Sequence, residues 1–164
     1  MDLNFKKISI IGLGLIGTSI LHAIKAKEED ELVTFAYDIN PKHRQIVSKM
    51  KIATFVCDDI KDTVRDADLV ILAVPVGSMK TVASLIAPFL KKNTVVTDTG
   101  STKGSVVNDV NPYMPDNVYF IPSHPLAGTE YSGPKSGFSS LFKNRYWLIV
   151  HDKKTHETKK LISF

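Results

Sequence analysis

A glycine-rich turn close to the N-terminus constrains the fold of this chain more than any other feature. The apolar run 7–11 leads directly into Gly12-Leu13-Gly14-Leu15-Ile16-Gly17, which opens an amphipathic segment. A strand, a G-x-G-x-x-G turn and a helix in that order form a phosphate-binding unit. Gly12 permits the tight turn, Gly14 lets a pyrophosphate approach the backbone, and Gly17 lets the helix pack against the strand. The predicted dinucleotide-binding residues of this turn are Gly12, Gly14, Leu15, Ile16 and Gly17.

A carboxylate follows this turn at the spacing expected for a ribose contact. The second apolar run, 33–37, ends on Asp38, about 20 residues beyond the last glycine, where dinucleotide-binding folds carry an acidic residue for the ribose hydroxyls. Ile39 follows instead of an arginine, so the pattern predicts NAD in preference to NADP. Lys42, His43 and Arg44 lie close enough in sequence to leave NADP as the less favoured alternative.

Strand and helix patterns alternate along the rest of the chain. Short apolar strands are predicted at 7–11, 33–37, 53–56, 69–73, 94–97, 118–121 and 146–150. Helices are predicted after the glycine turn, from Asn40-Pro41, from Asp58 or Asp59, from a Ser78 cap, near 103–110 and from 155. This alternation predicts an α/β fold with a doubly wound, mostly parallel sheet of the Rossmann type. We expect residues 1–152 to form that domain and residues 153–164 to begin a connection to a further one, and we interpret 123–140 as a functional irregular loop.

Charge and composition exclude several classes of function. The formal net charge of +4 suits an anionic ligand, but the lysines are scattered among acids, so nucleic acid is not indicated. No apolar run is long enough to span a bilayer, and Lys6-Lys7 before an apolar run lacks the cleavage site of a signal peptide. The one cysteine, Cys57, allows no internal disulfide, so a cytoplasmic location is expected. No histidine pair or cysteine cluster has metal-ligand spacing, so no metal site is predicted.

Reactive side chains follow three of the predicted strands, where doubly wound sheets bind their ligands. The first of these loops carries the apolar lip Ala73-Val74-Pro75 and the second carries Ser101 and Lys103. The third carries His124 and Glu130. An imidazole titrates near neutral pH, which makes His124 the candidate general base, with Ser101 as its hydrogen-bonding partner or as a turn residue. Lys103 is expected to hold a substrate carboxylate, to orient its loop or to face solvent. The other histidines, at positions 22, 43, 151 and 156, are expected at the surface.

Five motifs together resemble the nucleotide-binding half of the prephenate/arogenate dehydrogenase family. They are Gly12–Gly17, Tyr37–Pro41, Leu69–Val76, Asp98–Lys103 and His124–Glu130. The resemblance implies an NAD-dependent oxidative decarboxylation of prephenate to 4-hydroxyphenylpyruvate, or of arogenate to tyrosine. It implies that His124 accepts the proton of the ring hydroxyl, that Ser101 contacts that hydroxyl, and that Glu130 shapes access to the pocket. The expected substrate-pocket residues are Lys103, Gly128, Thr129 and Glu130.

The resemblance also implies a helical C-terminal domain that forms a homodimer and supplies an arginine for the dicarboxylate substrate. The sequence ends at Phe164 without such a segment, so we expect the chain to bind NAD and to turn over poorly by itself. Two other hypotheses share the glycine motif. One is a two-domain hydroxy-acid or imino-acid dehydrogenase, in which His124 has no role. The other is a dinucleotide-binding module without catalytic activity.

Overall fold

A six-stranded, wholly parallel sheet with the strand order β3-β2-β1-β4-β5-β6 lies at the centre of the molecule. The computed structural model describes residues 5–27, 31–150 and 156–163. The strands of this sheet are β1 (Lys7–Ile11), β2 (Val33–Tyr37), β3 (Phe55–Val56), β4 (Leu69–Leu72), β5 (Val95–Asp98) and β6 (Tyr119–Ile121). The order reverses direction at β1, from which one half of the sheet runs to β3 and the other to β6. The doubly wound α/β fold predicted from the sequence is therefore confirmed.

Helices cover both faces of this sheet. They are α1 (Leu15–Ala26), α2 (Pro41–Met50), α3 (Ile60–Val64), α4 (Met79–Ile86), α5 (Lys103–Val110) and α6 (His156–Ser163). Alternate residues of β4 belong to different hydrophobic clusters: Ile71 packs with α1, whereas Leu72 packs with α4. A strand buried on both faces needs an apolar residue at every position, which explains the unbroken run at 69–72.

Local capping chemistry sets two of the helix starts. The Asn40 side chain accepts a hydrogen bond from the Lys42 N–H at 3.0 Å, and Pro41 is the first residue of α2. The Asp59 side chain accepts one from the Lys61 N–H at 2.8 Å and starts α3. The predicted Ser78 cap is wrong, because Ser78 ends a short 3-10 helix that runs directly into α4, and its side chain caps nothing.

Two short antiparallel strands lie beside the main sheet. Strand β8 (Trp147–Ile149) confirms the strand expected at 146–150, but it pairs with β7 (Ser123–Pro125) in a separate ribbon. The prediction that 123–125 is irregular loop is wrong. A three-residue strand ending in proline gives no alternation that a sequence pattern detects, since proline lacks the N–H that a sheet ladder uses. The ribbon holds position 124 on a paired strand beyond the end of the main sheet.

The loop between these two strands is fastened to α1. The Phe138 N–H donates to the Ser19 hydroxyl at 3.1 Å. A Cβ on Gly137 would lie 2.1 Å from the Thr18 hydroxyl oxygen, so glycine is the residue that permits this close contact. The loop thus braces the helix that follows the glycine turn.

The final helix packs back on the domain. Thr158 of α6 is 4% exposed, and Leu161 contacts the cluster on the α1 face of the sheet. The predicted helix is confirmed over 156–163, whereas residues 151–155 and 164 lie outside the described residues. The predicted domain boundary at 152 stays a prediction. Among the helices of the described ranges, none is both long and apolar enough to cross a membrane.

Candidate functional site

A cleft of about 930 Å³ opens at the carboxyl ends of the central strands. The glycine turn, the end of β2, the loops after β4 and β5, and β7 all contribute to its walls. The predicted cofactor residues that line it are Gly12, Gly14, Leu15, Ile16, Asp38, Ile39, Ala73, Val74 and Pro75. Ser101 and His124 line the same cleft. The fold therefore brings the proposed phosphate turn, ribose carboxylate and general base into one concave space.

The three glycines of the turn have different physical roles. Gly12 has φ of 100°, and a Cβ there would lie 2.4 Å from the carbonyl oxygen of Ala73. A Cβ on Gly17 would lie 1.9 Å from the carbonyl oxygen of Gly12, so Gly17 lets α1 begin against the turn and does not itself line the cleft. A Cβ on Gly14 would meet no atom within 4 Å. The first and third glycines thus shape the turn, while the second leaves open space in front of it.

The N-terminus of α1 faces this space without a capping side chain. Gly14 is the N-cap residue, it provides no side-chain hydrogen bond, and the first turn contains no acidic residue. The first N–H groups of a helix have no partner within it, and they carry the positive end of the helix dipole. This end of the cleft is therefore suited to an anion such as a diphosphate.

Asp38 is fixed directly against the glycine turn. It is 9% exposed, its Oδ2 accepts the Leu13 N–H at 2.7 Å, and its Oδ1 accepts the Asn40 N–H at 2.8 Å. The His43 Nδ1 lies 3.2 Å from Oδ2. These contacts hold the carboxylate at the edge of the cleft, beside the turn that leads into α1 and the proposed phosphate site.

His43 is partly exposed, as expected for a surface residue, and it also lines the cleft. It is the third residue of α2, and its ring lies beside Asp38 because the helix starts at Pro41. Arg44 points elsewhere: its guanidinium donates to the carbonyl oxygen of Asp38 at 2.7 Å and to the carboxylate of Asp58 at 3.1 Å. The Arg44 guanidinium is therefore already engaged, and its contact with Asp38 is with the backbone and not with the carboxylate.

His22 on α1 is not among the residues that line the cleft. It is partly buried, and burial, followed by the nearby Lys25 charge, lowers its pKa. His151 and the side chain of His156 lie outside the described residues.

The geometry of His124 fixes the tautomer of its ring. His124 lies in the middle of β7, opposite Leu148, and its Nδ1 is 3.0 Å from the carbonyl oxygen of Thr99. A carbonyl oxygen is an acceptor, so Nδ1 carries the hydrogen and donates it. In the neutral ring the other nitrogen, Nε2, is then an acceptor. The ring is thus set up to receive a proton.

A buried ion pair joins the loops that carry Ser101 and His124. Asp98, which is 0% exposed, accepts hydrogen bonds from the Lys103 ammonium and from the N–H groups of Gly100 and Ser123. Lys103 also donates to the carbonyl oxygen of Ser123 at 2.6 Å. Burial lowers the pKa of Lys103, and the hydrogen bond and charge of Asp98 oppose that shift. Of the three expectations for Lys103, the structure favours loop orientation.

The remaining predicted pocket residues lie outside the cleft. Gly128, Thr129 and Glu130 are exposed and are not among the residues that line it. Their assignment to the substrate pocket stays a prediction. Within the described ranges no group of three or more histidine, cysteine, aspartate or glutamate side chains is placed to hold a metal ion.

Comparison with known proteins gives a consistent family. The family model described as prephenate dehydrogenase, nucleotide-binding domain, matches residues 21–163. A cyclohexadienyl dehydrogenase of Zymomonas mobilis is 45% identical over 151 residues, which cover 92% of this chain and 51% of the relative. A prephenate dehydrogenase of Lactococcus lactis is 35% identical over 152 residues, covering 90% of this chain and 41% of the relative. The chain spans about half the length of the curated relatives it matches.

A solved structure extends the likeness to three dimensions. The crystal structure of prephenate dehydrogenase from Aquifex aeolicus in complex with hydroxyphenyl propionate and NAD+ superposes with a TM-score of 0.85 at 26% identity. The match covers 99% of this chain and 56% of that one.

Proposed function

Because the chain belongs to the prephenate dehydrogenase family, as its nucleotide-binding domain, we propose that the full-length enzyme converts prephenate to 4-hydroxyphenylpyruvate by NAD-dependent oxidative decarboxylation, a step of tyrosine biosynthesis. One observation carries the proposal: His124, whose Nε2 is left as an acceptor, and the open N-terminus of α1 line a single cleft. A dehydrogenase needs a general base and a diphosphate site in one cleft.

The residues present fit NAD. The space in front of Gly14 and the uncapped first turn of α1 suit the diphosphate, and the carboxylate of Asp38 suits the adenosine ribose. Val74 and Pro75 provide an apolar wall for the nicotinamide end. When bound, NAD+ supplies the hydride acceptor of the reaction.

His124 is proposed to act as the general base. Its Nε2 accepts the proton of the ring hydroxyl while the hydrogen on that carbon leaves as hydride, so that the alcohol becomes a carbonyl. The Thr99 carbonyl oxygen keeps accepting from Nδ1 and stabilises the imidazolium that forms. Ser101 is exposed and lines the same cleft, in the loop after β5, and it is proposed to hydrogen-bond the same hydroxyl. The bond to the ring carboxylate then breaks, carbon dioxide leaves, and the electron pair of that bond enters the ring and makes it aromatic. The phenolate oxygen that results takes back the proton held by His124, and the gain of aromaticity renders the step irreversible.

The substrate carboxylates require cations that the cleft does not offer. Among the described residues that line it there is no lysine or arginine. Since two carboxylates need compensating charge when they leave water, we propose that their partners lie in a further part of the full-length enzyme. The same part is proposed to form the homodimer, and residues 1–152 are proposed to be the nucleotide-binding domain. A cytoplasmic location is proposed as well, because a reducing compartment suits the free thiol of Cys57.

Arogenate is the second candidate substrate. The name of the Zymomonas mobilis relative specifies a cyclohexadienyl ring, and prephenate and arogenate both contain one. The two acids differ in the side chain on that ring, away from the hydroxyl that His124 is proposed to deprotonate. The cleft chemistry therefore serves either acid.

The test is NADH formation by the full-length enzyme with prephenate and with arogenate. We expect turnover with at least one of them, and His124→Asn, which keeps a donor towards Thr99 but has no basic nitrogen, should lower kcat by about two to four orders of magnitude. Oxidation of hydroxy acids in place of both substrates would favour the hydroxy-acid dehydrogenase hypothesis. NAD+ binding without turnover of any of these would favour the non-catalytic module.

A further inference from the structure

The contacts of Asp38 leave its carboxylate short of free acceptor positions. An ionised carboxylate offers about four lone-pair sites. Two are used by the N–H groups of Leu13 and Asn40, and a third faces the Nδ1 of His43. One site then remains on Asp38, whereas the adenosine ribose of NAD+ presents two hydroxyl groups. The second hydroxyl needs another acceptor at this wall of the cleft.

His43 has such an acceptor. A carboxylate does not donate, so the hydrogen between the two groups belongs to the His43 Nδ1, and in the neutral ring Nε2 is left with a lone pair. The ring lines the cleft, and its side chain is 31% exposed, which leaves one edge accessible. The first turn of α2, begun by Pro41 and capped by Asn40, holds the ring in place.

We propose that His43 is a second ribose-binding residue, whose Nε2 accepts a hydrogen bond from the 2′-hydroxyl of the adenosine ribose and which, together with Asp38, selects NAD+ over NADP+. The inference rests on the proposed NAD site and adds to it the residue that reads the 2′ position. A 2′-phosphate has no hydrogen to donate to Nε2 at neutral pH, and it would meet the negative charge of Asp38.

The surrounding cations do not offset that repulsion. Arg44 is committed to the carbonyl oxygen of Asp38 and to the carboxylate of Asp58, and its side chain is 17% exposed. Lys42 is exposed and is not among the residues that line the cleft. Discrimination against NADP+ is therefore attributed to His43 and Asp38, and not only to the absence of an arginine at position 39.

Titration calorimetry of the chain with NAD+, with NADP+, and with an NAD+ analogue lacking the adenosine 2′-hydroxyl tests the proposal. His43→Asn places an amide donor where Nδ1 was and removes the acceptor at Nε2. His43→Gln places an amide oxygen near the position of Nε2. We expect His43→Asn to weaken NAD+ by about threefold to tenfold, the range for one hydrogen bond, and His43→Gln to recover part of that loss.

The analogue without the 2′-hydroxyl shows whether His43 contacts the ribose directly or only positions Asp38. If Nε2 contacts the 2′-hydroxyl, His43→Asn should not weaken the analogue further, because the contact is already absent. The ratio of the NADP+ to the NAD+ dissociation constant should also fall in His43→Asn. Equal loss with NAD+ and with the analogue, or wild-type affinity for NAD+ in His43→Asn, would mean that His43 merely supports Asp38 and would overturn the inference. Absence of NAD+ binding by the wild-type chain would overturn the proposed function as well, so the two failures are distinguishable.

Discussion

Replacing Gly14 with alanine separates the fold of the glycine turn from its proposed use in binding. Gly14 has φ of −80° and ψ of −161°, an extended conformation that alanine adopts without strain. The new Cβ would meet no atom within 4 Å. Alanine restricts the unfolded chain, which stabilises by about 0.4–1 kcal/mol, and it is a poorer N-cap than glycine by a similar amount. We therefore expect the free energy of unfolding to change by less than about 1 kcal/mol.

The same methyl group should weaken NAD+ binding strongly. It occupies the open space in which the diphosphate is proposed to approach the first N–H groups of α1. A hydrogen bond to a charged group contributes about 1.5–3 kcal/mol, so the loss of one such contact corresponds to roughly a tenfold to hundredfold increase in Kd.

Gly12→Ala is the matched control, because it places the same methyl group two residues earlier. There φ is 100°, and the Cβ would lie 2.4 Å from the carbonyl oxygen of Ala73. The left-handed backbone costs about 1–2 kcal/mol, and displacement of the packed strand end costs about 1–3 kcal/mol more. A domain of this size loses roughly 2–4 °C of Tm per kcal/mol, so Gly12→Ala should melt clearly below the wild type.

Thermal unfolding and NAD+ titration of the wild type and both variants form the assay. The expected result is a Gly14→Ala protein with near-wild-type Tm and weak binding, beside a Gly12→Ala protein with a lowered Tm. Wild-type affinity in Gly14→Ala would refute the placement of the diphosphate, and a large drop in its Tm would refute the packing argument.

Three further changes have defined outcomes. In the full-length enzyme, His124→Asn should leave the Kd for NAD+ unchanged and strongly lower kcat, as equilibrium titration and stopped-flow kinetics would show. A weaker Kd with a normal kcat would mean that another residue is the base. Asp98→Asn leaves the Lys103 ammonium buried without its countercharge, so the domain should lose about 3 kcal/mol of stability in denaturant unfolding, and an unchanged midpoint would contradict the role of the pair. Burial raises the pKa of Asp68, but the Lys91 ammonium and two backbone N–H groups outweigh it and hold the pKa below its ordinary value. A carboxyl whose pKa is lower in the folded state stabilises above its unfolded pKa of about 4 and loses that contribution as pH falls. Asp68→Asn should therefore lower Tm at neutral pH and converge with the wild type in acid; a deficit that is equal at both pH values would show that the ionised form contributes nothing.

The parts of the site that sequence predicted are those set by local chain geometry. The glycine turn requires residues with particular backbone freedom, and the structure shows why at Gly12 and Gly17, where a Cβ would collide with carbonyl oxygens. Asp38 directly follows strand β2, and the length and burial of that strand fix its carboxyl end, and so Asp38, at the side of the sheet where the cleft lies. His124 and Ser101 follow from the rule that parallel strands deliver their loops to one side of the sheet.

The parts that the sequence did not predict depend on contacts that the fold creates. Lys103 turns inward because the carboxylate of Asp98, five residues earlier, and the backbone of Ser123, twenty residues later, both meet it there, and the sequence does not show that the three groups converge. Strand β7 exists because β8, more than twenty residues later, pairs with it. His43 reaches the cleft through the direction in which α2 starts. In each case, an interaction through space determines the orientation of a side chain that its neighbours in sequence leave open.

The most direct test of the account is a crystal structure of this chain with NAD+ bound. We expect the diphosphate at Gly14 and the first turn of α1, the adenosine ribose on Asp38 and His43, and the nicotinamide ring at the end of the cleft that contains Ser101 and His124. A coenzyme bound in the opposite direction, or in a different part of the molecule with this cleft empty, would contradict it.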